Sequence, residues 1–415
     1  MSHGESKKGK VPLGGQAPRR YARSRHAGAT RRRALPTRKE LRMAETATAA
    51  LPALPRSVTR GHEARHLLAL PADIVVDEVE VLAMSRFVGT RWDVVPAELP
   101  GADVPVGRMA GPGEPGVLRL SRHSTLTGPY APAGQGFDPG LPAGTQLVFD
   151  VVTPRERWDD PPVPGEGDRD GLARSFPGGL PNREEERVVS WLIAAARRLG
   201  GSVRLDVAGL WDPAVPADRR GSGTMLTPDP AAAVDLAVFS DVWLDPQACQ
   251  QVAQAVHPAA ALATEGAEYQ GPPPGLAEGG LLAADDLDDD ERRALHARAD
   301  DVDIAALQAP QVLDGYGVVT DLGPDGYVTV EVMGETVLPL LLRDLPWAAD
   351  GCVAYHVRWD PPDVAEAQRE RPDPALVAAR RRAAEVVAGM SRALWEAVGG
   401  EIADEADFLV DPEDL

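Results

Sequence analysis

One stretch of the chain occurs twice, and this repeat limits the possible folds more than any other feature. The two copies cover residues 148–213 and 354–412. Each copy contains a short apolar strand, a Trp-Asp pair, a helix closed by Gly-Gly, and a second strand that runs to Asp-Pro. The spacing from Gly-Gly to Asp-Pro is identical in the two copies. The pattern therefore predicts a duplicated strand–helix–strand unit.

The two predicted helices carry apolar residues three and four positions apart. Aligned on Gly-Gly, the apolar stripes are Val188, Trp191, Ala195 and Leu199 in the first copy, and Val387, Met390, Leu394 and Val398 in the second. Such stripes face a core, and Arg197 and Arg198 lie off the first one. Gly200 and Gly399 suit the left-handed end of a helix. Chance similarity between alanine-rich helices is the alternative, but the shared motifs favour duplication.

The elements after the first copy indicate the fold class. An apolar strand at 234–244 is followed by a helix that Asp245-Pro246 opens. Strand–helix–strand followed by strand–helix is typical of a split βαβ sandwich. Before the second copy, the runs 316–320 and 327–332 flank an Asp-Gly turn, which predicts a hairpin. We therefore expect an α+β protein with two related ferredoxin-like (split βαβ) sandwich lobes that arose by internal duplication.

Composition shifts and Gly/Pro-rich stretches give the expected boundaries. These are a disordered basic arm at 1–57, a small loop-rich β segment at 62–135, a first α+β lobe at 145–265, an acidic linker at 266–308 and a second α+β lobe at 312–415. Within the β segment, Ile74-Val75-Val76 and 79–82 are short strand candidates.

Charge divides the chain sharply. Residues 1–42 hold thirteen Lys or Arg and two acidic residues, a balance of +11, and they contain all four lysines. The rest of the chain holds thirty arginines and 61 acidic residues, a balance of −31. The basic arm could make weak contact with nucleic acid or another anionic surface. The alternatives are a solvated tail, or an upstream extension with Met43 as the true start.

Composition also restricts the location and the cofactors. No apolar run is long enough to cross a bilayer, and the two cysteines, Cys249 and Cys352, set no disulfide framework. We therefore expect a cytoplasmic protein without membrane contact. The body lacks the lysine of a P-loop and has no dinucleotide fingerprint, so no cofactor is predicted.

The sharpest chemical motif is His62-Glu63-Ala64-Arg65-His66. On a helix, His62 and His66 would share a face and could bind zinc, with Glu63 as general base. These five residues resemble the motif of zinc metallopeptidases, which implies a zinc-dependent hydrolase. Gly61, the charged Arg65 and the nearby Pro71 argue for an accidental match.

The Trp-Asp pairs are the candidate ligand-binding residues. Trp158 and Asp159, and likewise Trp359 and Asp360, follow equivalent predicted strands. Duplicated lobes would place them on related rims, where a cleft could bind a ligand. A Pro-Pro pair follows each Trp-Asp pair, at Pro161-Pro162 and Pro361-Pro362. The structural alternative is that each tryptophan covers the core while its aspartate fixes the turn at these prolines.

Taken together, these patterns favour a binding or interaction protein over an enzyme, and they identify no catalytic residue. The expected partner is an unknown protein or small-molecule ligand in a cleft between the lobes. The alternatives are the zinc hydrolase and nucleic-acid association through residues 1–42.

Overall fold

The computed structural model describes residues 51–55, 62–97, 107–135, 138–163, 167–206, 225–263, 288, 290–291, 293–298 and 314–415. Residues 1–50 of the predicted arm lie outside the described residues, as do 207–213 of the first copy and most of the predicted acidic linker. The described part of that linker is helical at 293–298. Disorder was the wrong prediction for 51–55, because Ala53–Leu54 form a strand and Leu54 is fully buried.

The first sheet belongs to the N-terminal part of the described chain. Its strands are β1 (Ala53–Leu54), β2 (Glu63–Leu70), β3 (Arg91–Val95), β4 (Arg108–Met109), β5 (Gly116–Arg119), β6 (Thr125–Gly134), β7 (Leu147–Pro154), β8 (Ser202–Arg204) and β9 (Met225–Leu226). They pair in the order β4-β3-β5-β6-β7-β2-β8-β9, and β1 adds to β6.

The second sheet follows in sequence. Its strands are β10 (Leu236–Ser240), β11 (Ala260–Leu262), β12 (Gly315–Asp321), β13 (Tyr327–Glu335), β14 (Cys352–Asp360), β15 (Glu401–Asp404) and β16 (Leu409–Val410). They pair in the order β11-β12-β13-β14-β10-β15-β16, with antiparallel neighbours throughout. The predicted hairpin is confirmed as β12 and β13.

The helices lie between these strands in sequence. They are α1 (Val76–Met84), α2 (Leu172–Ser175), α3 (Arg183–Arg198), α4 (Pro246–Val256), α5 (Val364–Ala367) and α6 (Pro374–Val398). Asn182 caps α3 by accepting a hydrogen bond from the backbone N–H of Arg183. Asp245 caps α4 in the same manner, with Pro246 at the first helical position. The molecule is thus a mixed α+β protein with two sheets.

The two sheets connect their central strands in the same order. In the first, β2 pairs with both β7 and β8, which α3 connects, and α1 follows β2 in the chain. In the second, β10 pairs with both β14 and β15, which α6 connects, and α4 follows β10. All four of these pairings are antiparallel. We call β1–β9 with α1–α3 the first lobe, and β10–β16 with α4–α6 the second lobe.

This strand pairing corrects the expected boundaries. The strand at 234–244 and the helix after it were predicted in the first lobe at 145–265, but β10 lies in the centre of the second sheet. The sequence left open whether 62–135 packs alone or onto the first copy, and its strands lie in the first sheet with β7 and β8. Both assignments depend on pairing between strands that are distant in sequence, and local sequence patterns do not reveal such pairing.

Helix α1 replaces the strands that we predicted at 74–82. Valine is β-branched and favours strands, so the apolar runs there resemble strand sequence. In the structure Val76, Val79, Leu82 and Ala83 are buried at helical spacing. Glu78 also accepts a hydrogen bond from the backbone N–H of Val75 at the helix start. The three-residue period and the acidic first turn outweigh strand propensity here.

Each lobe has its own core between sheet and helices. The first-lobe core packs α1 and α3 against the sheet, and the second-lobe core packs α4 and α6 in the same way. One exception connects the lobes: Phe408 follows β15, is 1% exposed, and belongs to the first-lobe core. Hydrophobic burial therefore links the two lobes directly. No helix in the described ranges is long and apolar enough to cross a membrane.

Candidate functional site

The residues that resemble a zinc-binding motif, 62–66, lie at the start of a strand instead of on a helix. His62 is exposed immediately before β2, whereas His66 is fully buried within β2. A strand rises roughly 3.3 Å per residue, so positions four apart are separated by about 13 Å. The two imidazoles therefore lack the geometry by which the metallopeptidase motif holds zinc. Among the described residues, no group of three or more His, Cys, Asp or Glu side chains could hold a metal ion.

Arg65 and His66 belong to a buried polar network instead. The Nε of Arg65 donates to Asp150 Oδ1 at 2.8 Å, and its Nη2 donates to the carbonyl of Pro55 at 2.9 Å. The Nδ1 of His66 accepts the backbone N–H of Asp206 at 3.1 Å. The backbone N–H of Arg65 in turn donates to the Asp206 carboxylate at 3.0 Å. This network joins β2 to its neighbour β7 and to the end of β8.

The remaining charges of the network surround the His66 ring. Glu185, fully buried in the first turn of α3, approaches His66 Nε2 at 3.6 Å and pairs with Arg157 at 2.7 Å. Burial lowers the pKa of His66 to about 3, and the nearby Arg157 and Arg155 add to the effect. The imidazole is therefore neutral, which suits its role as acceptor for Asp206. These contacts join β2, β7, α3 and the end of β8 within the first lobe.

We expect His66 to make stability pH-dependent. The folded pKa lies below the unfolded one, so stability is complete above about 6.5 and is lost as pH falls toward about 3. The slope per group is about 1.4 kcal/mol per pH unit. A His66→Gln variant should lack this contribution in urea unfolding measured across that interval. Burial raises the pKa of Glu185, so Glu185 changes stability with pH in the opposite direction. Because Glu185 is present in both proteins, the comparison isolates the contribution of His66. Equal pH dependence in both would contradict the assignment.

A second set of charges surrounds an open cavity between the lobes. The cavity measures about 330 Å³, and its lining includes five arginines and three acidic residues: Arg169, Arg174, Arg369, Arg371 and Arg380, with Asp170, Asp229 and Glu370. We call this site the arginine cleft. Its lining carries a net charge of +2, although the chain beyond residue 42 carries −31. Positive charge is therefore concentrated here against the overall balance.

Arg380 on α6 is the most constrained of these arginines. It is only 5% exposed, and its Nη2 pairs with Asp229. Within the described part of the chain its buried Nε has no hydrogen-bond partner. Burial lowers the pKa of Arg380, Asp229 opposes this effect, and Arg169 and Arg197 add to it. A buried donor beside two further guanidinium groups suits an additional anion.

Two of the neighbouring arginines hold the lobes together. Arg169, from the first lobe, donates to the carbonyl of Ala232 at 3.2 Å and pairs with Glu405 of the second lobe. Arg197, at the end of α3, pairs with Asp170 and with Glu405. The sequence pattern placed Arg197 off the apolar stripe, but it is 7% exposed because this contact covers it. Ion pairs to Glu405 therefore connect the two lobes beside the cleft.

Of the four predicted ligand-binding residues, Trp359 lies near the arginine cleft but does not line it. Trp359 is 8% exposed and lines a neighbouring cavity of about 90 Å³ that shares Arg169 and Arg380 with the arginine cleft. Its Nε1 donates to the carbonyl of Asp325 at 2.8 Å.

The other three predicted residues do not line either cavity as the structure describes them. Trp158 is 58% exposed beyond the end of β7, and Asp159 is exposed beside it. Asp360 is exposed and accepts a hydrogen bond from Thr329 Oγ1 at 2.7 Å. The two tryptophans therefore occupy different environments: Trp158 follows β7, whereas Trp359 lies within β14.

Sequence reasoning missed the arginines of the cleft. Arg380 begins the run Arg380-Arg381-Arg382, which reads as an exposed basic face of a helix. Arg382 does lie on that exposed face and pairs with Asp325, whereas Arg380 turns inward. The position of Arg380 in the sequence was the available signal that it faces inward. It comes one residue after the buried Ala379 and four after the buried Leu376, on the same side of the helix.

Comparison with known proteins adds no assignment to this geometry. No protein-family model, no curated protein and no solved structure matches the chain.

Proposed function

We propose that the protein binds a small anionic ligand, bearing phosphate or carboxylate groups, in the arginine cleft between its lobes. The observation that carries the proposal is Arg380, a buried guanidinium that lines a cavity of about 330 Å³ and whose Nε has no hydrogen-bond partner among the described residues. A guanidinium binds carboxylate or phosphate through a planar pair of donors, so one added anion would complete its hydrogen bonding.

The charge distribution supports a small ligand over a large polyanion. The strongly acidic body repels an extended anion over a Debye length of about 8–10 Å. Inside the cleft, low-dielectric walls concentrate the field of the arginines on one compact anion. The volume is at the lower end of the range of about 300–1,000 Å³ for small-molecule pockets. Trp359 offers an aromatic wall in the adjoining cavity for any apolar part of the ligand.

The test is titration of purified protein with pyrophosphate and with citrate, measured by calorimetry. We expect saturable binding of at least one of the two anions. An Arg380→Met variant should lower the affinity by about tenfold or more, because a charge-assisted hydrogen bond contributes about 1.5–3 kcal/mol. Thermal stabilisation by the anion should diminish in parallel.

Two further variants make this test specific. Arg382→Met applies the same substitution on the same helix outside the cleft lining and should leave the affinity unchanged. The double variant Arg369→Gln/Arg371→Gln removes two exposed arginines of the lining, so it weakens binding even if loss of Arg380 unfolds the protein. Absence of binding to both anions, or equal loss with Arg382→Met, would reject the proposal.

We further infer that the lobes descend from one duplicated ferredoxin-like unit. The shared strand order supports this inference: β8-β2-β7-β6 and β15-β10-β14-β13 are antiparallel series with helices at corresponding connections. The repeat extends beyond the 148–213 and 354–412 segments, since β2 and β10 begin the corresponding units. An experimental structure whose equivalent strands fail to superpose in one orientation would contradict the inference.

A further inference from the structure

A second group of arginines surrounds a depression away from the arginine cleft. Four arginines line it: Arg86 after α1, Arg122 in the β5–β6 turn, Arg187 on α3 and Arg343 of the second lobe. The depression measures about 490 Å³, and Asp407 is the one acidic residue in its lining as described. We call these four residues and the apolar residues beside them the arginine surface.

Three of these arginines make defined contacts, and Asp407 is the carboxylate on which the charges of Arg86 and Arg343 act. Arg187 lies over the ring of Phe87 at 4.6 Å and reaches Glu184 only at 3.9 Å. Arg343 donates from Nε to the carbonyl of Leu338 at 2.8 Å, and Arg122 donates to His123 Nε2. Over the described ranges, Arg86, Arg122 and Arg343 have no carboxylate within 4 Å. In a chain whose body holds 61 acidic residues, three arginines in one depression without a described carboxylate within 4 Å are a marked departure.

Large apolar side chains are exposed next to this charge. Val81 and Met84, three residues apart on α1, are 50% and 43% exposed, and Val88 at the edge of the depression is 79% exposed. The opposite side of α1 is buried against α3, where Trp191 Nε1 donates to the carbonyl of Leu82 at 2.9 Å. The apolar residues and the arginines therefore sit on a fixed support. Exposed apolar side chains beside arginine are typical of a protein-binding surface.

We propose that the arginine surface binds an acidic segment of a partner protein that carries large apolar side chains between its carboxylates. The arginines complement carboxylates, and Val81, Met84 and Val88 complement the apolar side chains. Nucleic acid is a poorer fit, because its phosphates gain nothing from the apolar residues and the acidic body repels a long polyanion. A second copy of the chain is also a poorer fit, because two chains of net charge −20 repel each other.

The test uses the full chain and a fluorescein-labelled helical peptide of glutamates with leucines three and four positions apart. Fluorescence anisotropy should show saturable binding that weakens with added salt. The charge reversal Arg86→Glu/Arg343→Glu should lower the affinity by at least about tenfold, and Met84→Ser/Val88→Ser should also lower it. Both pairs are exposed, so folding is preserved, and circular dichroism checks this.

Matched controls separate the surface from general electrostatics. Arg358→Glu/Arg382→Glu changes the net charge equally at exposed positions elsewhere and should leave the affinity within about twofold. A peptide with serine in place of leucine should bind more weakly. The proposal is overturned if the leucine-containing peptide does not bind. It is also overturned if Arg358→Glu/Arg382→Glu lowers the affinity as much as Arg86→Glu/Arg343→Glu, or if the serine peptide binds as tightly as the leucine peptide. Equal binding of oligothymidylate, or self-association that Arg86→Glu/Arg343→Glu abolishes, would overturn it in favour of those occupants.

Discussion

We expect the Trp191→Ala variant to lose about 3–5 kcal/mol of unfolding free energy, measured by urea denaturation. Trp191 is 1% exposed in the first-lobe core, and its ring meets Phe87 edge-on at 5.6 Å between centroids. Its Nε1 also donates to the carbonyl of Leu82. The substitution therefore creates a large cavity, removes an aromatic pair and leaves a buried carbonyl without its partner.

The corresponding helix of the second lobe offers a parallel test and a control. Leu394 on α6 is 1% exposed, and Leu394→Ala should cost about 2–5 kcal/mol. Arg198→Ala, at an exposed position of α3, should cost less than about 0.5 kcal/mol. A cost below about 1 kcal/mol for Trp191→Ala would show that the assigned core face of α3 is wrong.

The second large effect concerns the buried Arg65–Asp150 pair. Arg65 is fully buried and Asp150 is 6% exposed, so Arg65→Met leaves a carboxylate without its cation inside the first lobe. Removal of one partner from a buried pair costs about 3–5 kcal/mol. We expect this loss in urea unfolding at neutral pH.

Two comparisons distinguish charge from packing in this variant. Burial raises the pKa of Asp150, and the hydrogen bond and charge of Arg65 oppose that rise. Without Arg65 the pKa of Asp150 rises further, so lowering the pH should protonate Asp150 and reduce the cost of Arg65→Met. The double variant Arg65→Met/Asp150→Leu should recover most of the lost stability. If the double variant is as unstable as the single one, the cost arises from packing.

The parts of the fold that depend on local pattern were predictable. The apolar stripes of α3 and α6 are buried in the structure, except for the partly buried Leu199. Gly200 and Gly399 have φ values of +62° and +73°, as the predicted helix ends require. Helical periodicity and capping depend on residues that are close together in sequence, and tertiary packing reinforces both here.

The assignments that failed depend on distant parts of the chain. Nothing near 236–240 in the sequence shows that β10 pairs with strands more than a hundred residues later. His66 reads as a metal ligand until the fold encloses it between Asp206 and Glu185. The cleft arginines come from both lobes, and an arginine in sequence does not reveal whether it faces solvent or a cavity.

The position of Phe408 bears on how the chain folds during synthesis. Apart from Phe408 and the neighbouring Ala406, that core is built from residues up to 226, so the first lobe lacks one of its largest buried rings until residue 408 has left the ribosome. Until then the nascent first lobe exposes an apolar gap that can recruit a chaperone or another chain. The lobes should accordingly unfold in a single cooperative transition, because removal of the second lobe opens the first.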